Sequence, residues 1–576
     1  MAGRVRGSAV IDADAEIRRC VDERKSFLVD AGAGSGKTSS LVGALRHLID
    51  SQIGAALAQR SQRIACITFT NVAADQIVER TARNPLIQVS TIHDFLWSVI
   101  KPHQKALKRA LLRHNRELKG TSARKRDETA LEAALPGVSV TYSDRGAEFL
   151  EGRLFHDDLI EVAARVFEDN ALMAQIVGAR FPFIFVDEYQ DTSRLVIGIL
   201  DRVMTAARGK AVVGYFGDKL QHIYDGGVGE IPADRRSNLV YIQKAENYRC
   251  SKAVIAVLNR IRTDIEQYPS GKNVDGSAVY LRLSRRGADD DVLARAREIA
   301  QKKLHWDLST GEQKELFLTH RLIARKAGYD ALLAAYNERG SFSRDALVKG
   351  EDAIIRFFQG NVEPLLAMWR AGKTGKVLTL LRSGGFKLKD NPGKARTKEA
   401  MDRLVTVAAQ STVREVLTHL DSAELLVLLD DLKKGLAVPA ADDGTEKEAF
   451  DERRMAERTF YRSLLALPYS EVSSFCTFLE EHTPFSTHHG VKGDEFDTVF
   501  VVLDDSGARW NLYSFDKYLN GEDEAKGMDR FERTRNLFYV CCSRAKRNLA
   551  VVDLGAGTPP KDARIKAMFG TENCFF

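Results

Sequence analysis

The sequence lacks the marks of several protein classes. None of its 576 residues fall in an apolar run of eighteen, and the opening MAGRVRGSAVIDADAE has basic residues with no apolar segment behind them. That excludes a helical membrane span and a secretory signal, and predicts a cytoplasmic protein. The seven cysteines (Cys20, Cys66, Cys250, Cys476, Cys541, Cys542 and Cys574) are odd in number and show no CxxC spacing. A disulfide framework, a zinc ribbon and an iron–sulfur cluster are therefore not expected, and the thiols read as reduced. No long low-complexity tract or internal repeat stands out. Charge of one sign is not in great excess either: 85 Lys and Arg against 79 Asp and Glu leave +6, which permits a polyanionic partner without requiring one. What remains is an ordinary globular composition, 44% hydrophobic and 28% charged. At roughly 100–200 residues per domain, the length suggests about three to five domains.

A phosphate site is written near the start. SFLVD (26–30) is a short apolar strand that runs into AGAGSGKTSSLVGALRHLI, where Leu41, Val42, Leu45, Leu48 and Ile49 recur at helical spacing. In a strand, glycine loop and helix of this kind, the backbone N–H groups of Ala31, Gly32, Ala33, Gly34, Ser35, Gly36, Lys37, Thr38 and Ser39 can curl round phosphate oxygens. The helix adds its positive N-terminal end. Lys37 would neutralise the β- and γ-phosphates of ATP and the Thr38 hydroxyl would ligate Mg²⁺. The motif reads AxxxxGKT, with Ala31 where glycine is commoner.

A second apolar run, FIFV (183–186), ends in Asp187 and Glu188. Open parallel sheets place their ligands at the carboxyl ends of strands. There the first carboxylate suits a hold on Mg²⁺, and the second can orient or deprotonate the attacking water.

With these two sites in place, further segments resemble the UvrD/Rep/PcrA group of superfamily 1A DNA helicases, in that family's order. RIACITFTNVAADQIVERT (63–81) is similar to motif Ia and VSTIHDFLWSVI (89–100) to the TxHxF segment. FIFVDEYQDTS (183–193) is similar to DExQDT and GDKLQHIYDGG (217–227) to GDxxQSIY. ENYRCS (246–251) resembles QNYRS, THHGVKGDEFDTVFVV (487–502) resembles TxHxxKGLEFxxVF, and ERTRNLFYVCCSRAKRNLAVV (532–552) resembles the motif ending in YVxxTRAK.

The resemblance implies an α/β fold of two RecA-like parallel-sheet cores with mainly helical insertion domains. ATP would sit between the cores and single-stranded DNA across them, with 3′→5′ movement. It implies core 1A over 1–100 and 151–240, a basic 1B-like insertion over 101–150, core 2A over 241–339 and 469–576, and a helical 2B-like insertion over 340–468. Arg249 and Arg544 match the family's two arginine fingers, Gln221 its γ-phosphate sensor and Glu495 the acid near the ribose. Thr70, His93 and His489 match positions near the DNA backbone; Phe69 and Tyr224 match base-stacking aromatics, which grip any sequence because every base has a π-face. A histidine is more often structural than a ligand, and for Phe69 the alternative is a core residue beneath its loop. Small variations within the motifs also resemble the helicase component of the Gabija anti-phage system, which works beside an OLD-type nuclease.

Three departures bear on this transfer. IDADAEIRRC (11–20) holds no glutamine to read adenine; DGGVG follows Tyr224 in place of an aromatic-Arg-Gly-Ala segment; and Asp494 replaces leucine in KGDEF. Residues 101–126 carry ten Lys or Arg against the single acid Glu117. That stretch reads either as a phosphate track or as a solvated helix face. GKTGK (372–376) has no strand before it and is not expected to be a second nucleotide site. About thirty residues follow Arg544, too few for a fused nuclease, so any cutting of DNA is expected to need another polypeptide. The leading expectation is an ATP- and Mg²⁺-dependent 3′→5′ DNA helicase or translocase in repair or defence, acting on single-stranded or 3′-tailed DNA. The alternatives are an ATPase switch that licenses a partner nuclease without unwinding, and a non-enzymatic scaffold.

Overall fold

The computed structural model describes residues 12–122, 124–143, 146–223, 226–284, 291–317, 320–348, 350–383, 391–440, 452–480, 485–487, 492–505 and 512–576. Along the chain the strands are β1 (Phe27–Ala31), β2 (Ile64–Thr68), β3 (Ile87–Thr91), β4 (Thr141–Tyr142), β5 (Arg153–Leu154), β6 (Phe183–Asp187), β7 (Val212–Gly217), β8 (Val240–Lys244), β9 (Glu246–Asn247) and β10 (Tyr268–Pro269). After them come β11 (Ser277–Arg282), β12 (Gln313–Phe317), β13 (Phe485–Thr487), β14 (Phe496–Leu503), β15 (Ala545–Asp553) and β16 (Cys574–Phe575). Two six-stranded sheets result, ordered β3-β2-β6-β7-β1-β8 and β13-β12-β14-β15-β11-β16, with β4-β5 and β9-β10 as short ribbons. Every pairing within the two large sheets is parallel, for example Phe27 beside Gly214 and Val499 beside Leu549.

Side chains alternate across each strand, so every apolar strand feeds two cores. In the first sheet Leu28, Ile67, Ile184, Val186 and Val213 face one core. Their neighbours Phe27, Val29, Cys66, Phe185 and Phe216 face the other. In the second sheet Val279, Leu281, Phe500 and Val552 belong to one core, and Tyr280, Val499, Val501 and Val551 to the other. Both faces are covered by helices, as an all-parallel sheet requires. The α/β architecture of two RecA-like cores with helical insertions is therefore the fold of this chain.

The strand β8 joins the first sheet, so that sheet's chain runs through Lys244 before the crossing to the second. The described part of 340–468 is helical throughout. Its Ile355, Leu365, Val416 and Leu464 pack in the same continuous core as Leu281 and Val552 of the second sheet. GKTGK lies at the turn between the helices Glu363–Arg370 and Thr374–Ser383, with no strand before it. The seven cysteines are free thiols; six are buried and Cys574 is half-buried.

The basic stretch is in part held by ion pairs. Arg113 pairs with Glu117, Glu168 and Asp169, Arg116 with Glu128 and Glu132, Arg124 with Asp158 and Arg126 with Glu148. Four of the ten cations thus hold the insertion to itself and to the helix His156–Asp169, while Lys101, Lys105, Arg109 and Lys119 remain exposed. Asp158, with none of its side chain exposed, accepts from His114 at 3.0 Å and from Arg124 at 2.8 Å. Burial opposes its ionisation, but these two donors outweigh it and hold the carboxyl below its usual range.

Candidate functional site

The strand order places β7 between β1 and β6, so the loops leaving these three strands meet at one edge. Ala31 ends β1, and the helix Lys37–Asp50 begins directly after the glycine loop. Gly34 and Gly36 hold left-handed φ angles of 73° and 78°. At Gly34 a side chain is also excluded by space, since a Cβ would lie 2.8 Å from both Arg249 Cβ and Asn247 Oδ1. Lys37 is buried, its Nζ makes no hydrogen bond, and the Glu188 carboxylate lies 3.6 Å away. The buried Ser35 hydroxyl likewise has no partner. Buried donors left unsatisfied are costly, so both point to a ligand rich in acceptor oxygens. Thr38 is half-buried on the first turn of the helix, and Ser39 is exposed and accepts from Arg80 at 3.0 Å.

Asp187 ends β6, and Glu188 follows in the left-handed region at φ 51°. Burial and the adjacent Glu188 push the Asp187 carboxyl above its ordinary range. Burial acts on Glu188 too, but Lys37, Lys492, the Gln190 amide and Arg544 together hold it below the usual carboxylate range. The two lysines thus favour the charged form of Glu188. Gln221, buried after β7, donates from Nε2 to Asp218 at 2.9 Å, and its backbone carbonyl accepts from Lys492 at 2.7 Å. Lys492 also pairs with Asp191, whose carboxyl burial pushes up to about 6. One lysine of the second core thus grips two segments of the first.

Arg249 donates from Nε to Glu495 at 2.6 Å, so the acid expected near a ribose here holds the guanidinium. Arg544 is fully buried; it donates to Val540 O at 2.9 Å, Asp494 O at 3.2 Å and Ser543 Oγ at 2.7 Å. Burial, and then its neighbour Arg249, pull its guanidinium down to about 10. Three side chains of the second core close on Ala33 of the phosphate loop: Asn247 and Gln267 donate to its carbonyl, each at 2.9 Å, and its N–H donates to the Tyr539 hydroxyl at 3.0 Å. Sequence reasoning missed these three and Lys492. It also missed Tyr248, 55% exposed, whose ring passes 3.8 Å from where a Cβ on Gly36 would stand.

A second constellation lies beyond β2 and β3. Phe69, Thr70 and His93 line one cavity of about 660 Å³ with Tyr142, His156, Asn71 and Asp94. Phe69 is 45% exposed, which rules out the core-residue alternative. The Thr70 hydroxyl caps the helix Asn71–Arg80 by accepting from Ala73 N–H at 3.2 Å. His93 is half-buried; burial and the nearby His156 keep its imidazole below the usual value. Its ring is nearly parallel to Tyr142 at 6.4 Å, and the Tyr142 hydroxyl is 2.6 Å from His156 Nδ1. Tyr142 and His156 carry no motif in the sequence and are recognised only by this packing. Tyr224 and His489 lie outside the described residues.

Residues 15–227 match a family model described as an AAA domain. The Gabija protein GajB of Bacillus cereus (strain HuB5-5) is 26% identical, covering 96% of this chain and 96% of its own. The ATP-dependent DNA helicase PcrA of Staphylococcus aureus is 22% identical, over 91% of this chain and 80% of its own. Among solved structures, the Pif1 helicase from Candida albicans matches at 14% identity with a TM-score of 0.27, over 56% of this chain and 54% of that one. The likeness read from the motifs thus extends over nearly the entire chain, which is similar both to the UvrD/PcrA-like helicases and to a Gabija component.

Proposed function

We propose that the chain is an ATP-dependent DNA helicase or translocase of the UvrD type, hydrolysing ATP between its two cores while moving 3′→5′ on single-stranded DNA, in repair or anti-phage defence. One observation carries this reading: Lys37 of the first core lies 3.6 Å from Glu188, Lys492 of the second pairs with Asp191 three residues on, and Asn247, Gln267 and Tyr539 of the second core close on Ala33 of the phosphate loop. Cations from two bodies converging on a glycine loop match the triphosphate of a nucleotide bound between them. Phosphoryl transfer is catalysed mainly by positioning and charge stabilisation, so a cleft that closes with its fingers in place couples hydrolysis to motion.

In this reading Lys37 and the loop amides hold the β- and γ-phosphates, and Gln221 reads the γ-phosphate. Ionised Glu188 orients the attacking water and accepts its proton, while Arg249 and Arg544 meet the charge that develops. Among the described residues no cluster of three His, Cys, Asp or Glu forms a metal cage. Thr38, on the first turn of its helix, and Asp187, at the end of β6, would hold Mg²⁺, and Asp187 crowded by Glu188 is a carboxylate that a divalent cation would relieve. Such an ion supplies neutralisation of the phosphate charge. With no glutamine at 11–20, base recognition falls to stacking on exposed Tyr248. Phe69, Thr70 and His93 take the DNA strand, with Tyr224 and His489 proposed beside them, and Glu495 approaches the ribose once Arg249 leaves it.

The test is ATP hydrolysis by the full chain with and without unstructured single-stranded DNA, with Lys37→Ala as the blank, followed by strand displacement on a 3′-tailed duplex. Stimulated hydrolysis with displacement supports the helicase. The near-complete mutual coverage with a Gabija protein favours one second reading, an ATPase switch that licenses a separate nuclease, such as an OLD-type protein. ATP consumption with the duplex left intact selects that reading.

A further inference from the structure

We infer that Asn247 is a positioning residue that sets the distance between the phosphate loop and the Arg249 guanidinium, an inference that rests on the finger reading of Arg249. The chain leaves the first sheet at Lys244 and enters the helix Lys252–Ile261, which packs on the second sheet. Asn247 is fully buried in this crossing. Its amide works in both directions: Nδ2 donates to Ala33 O at 2.9 Å, and Oδ1 accepts from Arg249 N–H at 3.0 Å and Cys250 N–H at 2.8 Å. The next residue repeats the tie through its backbone, with Tyr248 N–H donating to Gly34 O at 2.9 Å. The two segments approach so closely that Gly34 has no room for a methyl group.

Ala33 is braced from further side chains of the second core. Gln267 shares its carbonyl, and the Tyr539 hydroxyl that takes its N–H also accepts from Arg262 at 2.9 Å. Arg262 is fully buried and lies 3.5 Å from Asp218, whose other oxygen accepts from Gln221. A buried line of polar contacts therefore runs from the phosphate loop through the second core back to the γ-phosphate sensor. Within it, Asn247 touches both the loop and the finger's own backbone. Aspartate would keep the two acceptor bonds and lose the donor, while alanine would lose all three.

A guanidinium misplaced by about 1 Å costs on the order of 10²-fold in rate, because the transition state, not the bound nucleotide, feels its position. The experiment measures kcat and KM for DNA-stimulated ATP hydrolysis by the full chain as parent, Asn247→Ala, Asn247→Asp, Arg249→Ala and the double variant Asn247→Ala/Arg249→Ala, each checked for folding by circular dichroism. We expect both Asn247 variants to lose roughly 10²-fold in kcat with KM within about threefold, and the double variant to be no worse than Arg249→Ala. Losses that multiply in the double variant would make Asn247 a structural residue independent of the finger and overturn the inference. So would a folded Asn247→Asp with parental kcat, a result that stands even where Asn247→Ala fails to fold. Parental turnover in Arg249→Ala is a different failure: it removes the finger reading itself, and this inference with it.

Discussion

Replacing Arg544 by alanine should produce two losses that can be measured apart. The guanidinium donates to Val540 O, Asp494 O and Ser543 Oγ from a fully buried position. Truncation removes three charge-assisted hydrogen bonds, although Val540 O keeps the Ser543 hydroxyl as a donor at 2.8 Å. At about 1.5–3 kcal/mol for a hydrogen bond to a charged group, less what that remaining bond and water entering the vacated space restore, the folded state should lose about 2–4 kcal/mol. The finger role is larger: ~10³–10⁵ in rate, or about 4–7 kcal/mol of transition-state stabilisation. Denaturant midpoints report the first quantity. Single-turnover hydrolysis at saturating ATP, at a temperature where the variant is fully folded, reports the second. Nucleotide affinity should change little, because ground-state binding rests on the loop amides and Lys37. Arg544→Lys keeps a charge but not the planar fork, so it should recover part of the stability and little of the rate. A folded Arg544→Ala protein that turns over ATP within about threefold of the parent would sink the assignment. So would a loss confined to KM, which marks uniform binding and not transition-state binding.

Three further outcomes follow from the geometry. Gly34→Ala should cost more stability than Gly36→Ala: both incur about 1–2 kcal/mol for a left-handed residue, but at Gly34 the new Cβ also collides with Asn247 and Arg249, whereas at Gly36 its nearest neighbours are 3.8 Å away, and equal melting temperatures would contradict the close approach of the two cores. Burial, with Asp218 nearby, pushes the Asp30 carboxyl up to about 6, and burial does the same to Asp191. These are acids whose native values lie above their unfolded ones, so their contribution to stability is greatest below about pH 4 and is lost as pH rises through about 6. The ligand-free chain should therefore melt lower at pH 7.5 than at pH 5.5, Asp30→Asn and Asp191→Asn should each flatten that slope, and an unchanged slope in both refutes the linkage. Phe69→Ala should leave stability within about 0.5 kcal/mol of the parent, as for an exposed side chain, yet weaken binding of oligo-dT by about 1–3 kcal/mol, which fluorescence anisotropy reads directly.

What periodicity and spacing made legible in the sequence was local. The glycine loop, the acids at the end of β6 and the apolar runs that became strands each lie within about a dozen residues, a span in which periodicity and spacing carry information. The contacts that close the cleft are separated by hundreds of positions: Ala33 meets Asn247, Gln267 and Tyr539 at separations of 214, 234 and 506 residues, and no pattern along the chain encodes such a meeting. The same limit applies to the basic stretch, since acids that pair with Arg113 and Arg124 arrive 56 and 34 residues later, from a helix the local count ignores. Asp494 shows the converse case, where a departure from the family's wording loses its weight once the geometry is known. The position contributes its backbone carbonyl to Arg544, at 3.2 Å, and every residue type offers a carbonyl. A carboxylate in place of leucine therefore leaves this contact to the buried finger intact. The missing glutamine in 11–20 is of another kind, because what it would contribute is its side-chain amide and not its backbone. Tyr248, exposed beside the loop, is placed to stack on a base, which would grip it without reading its edge.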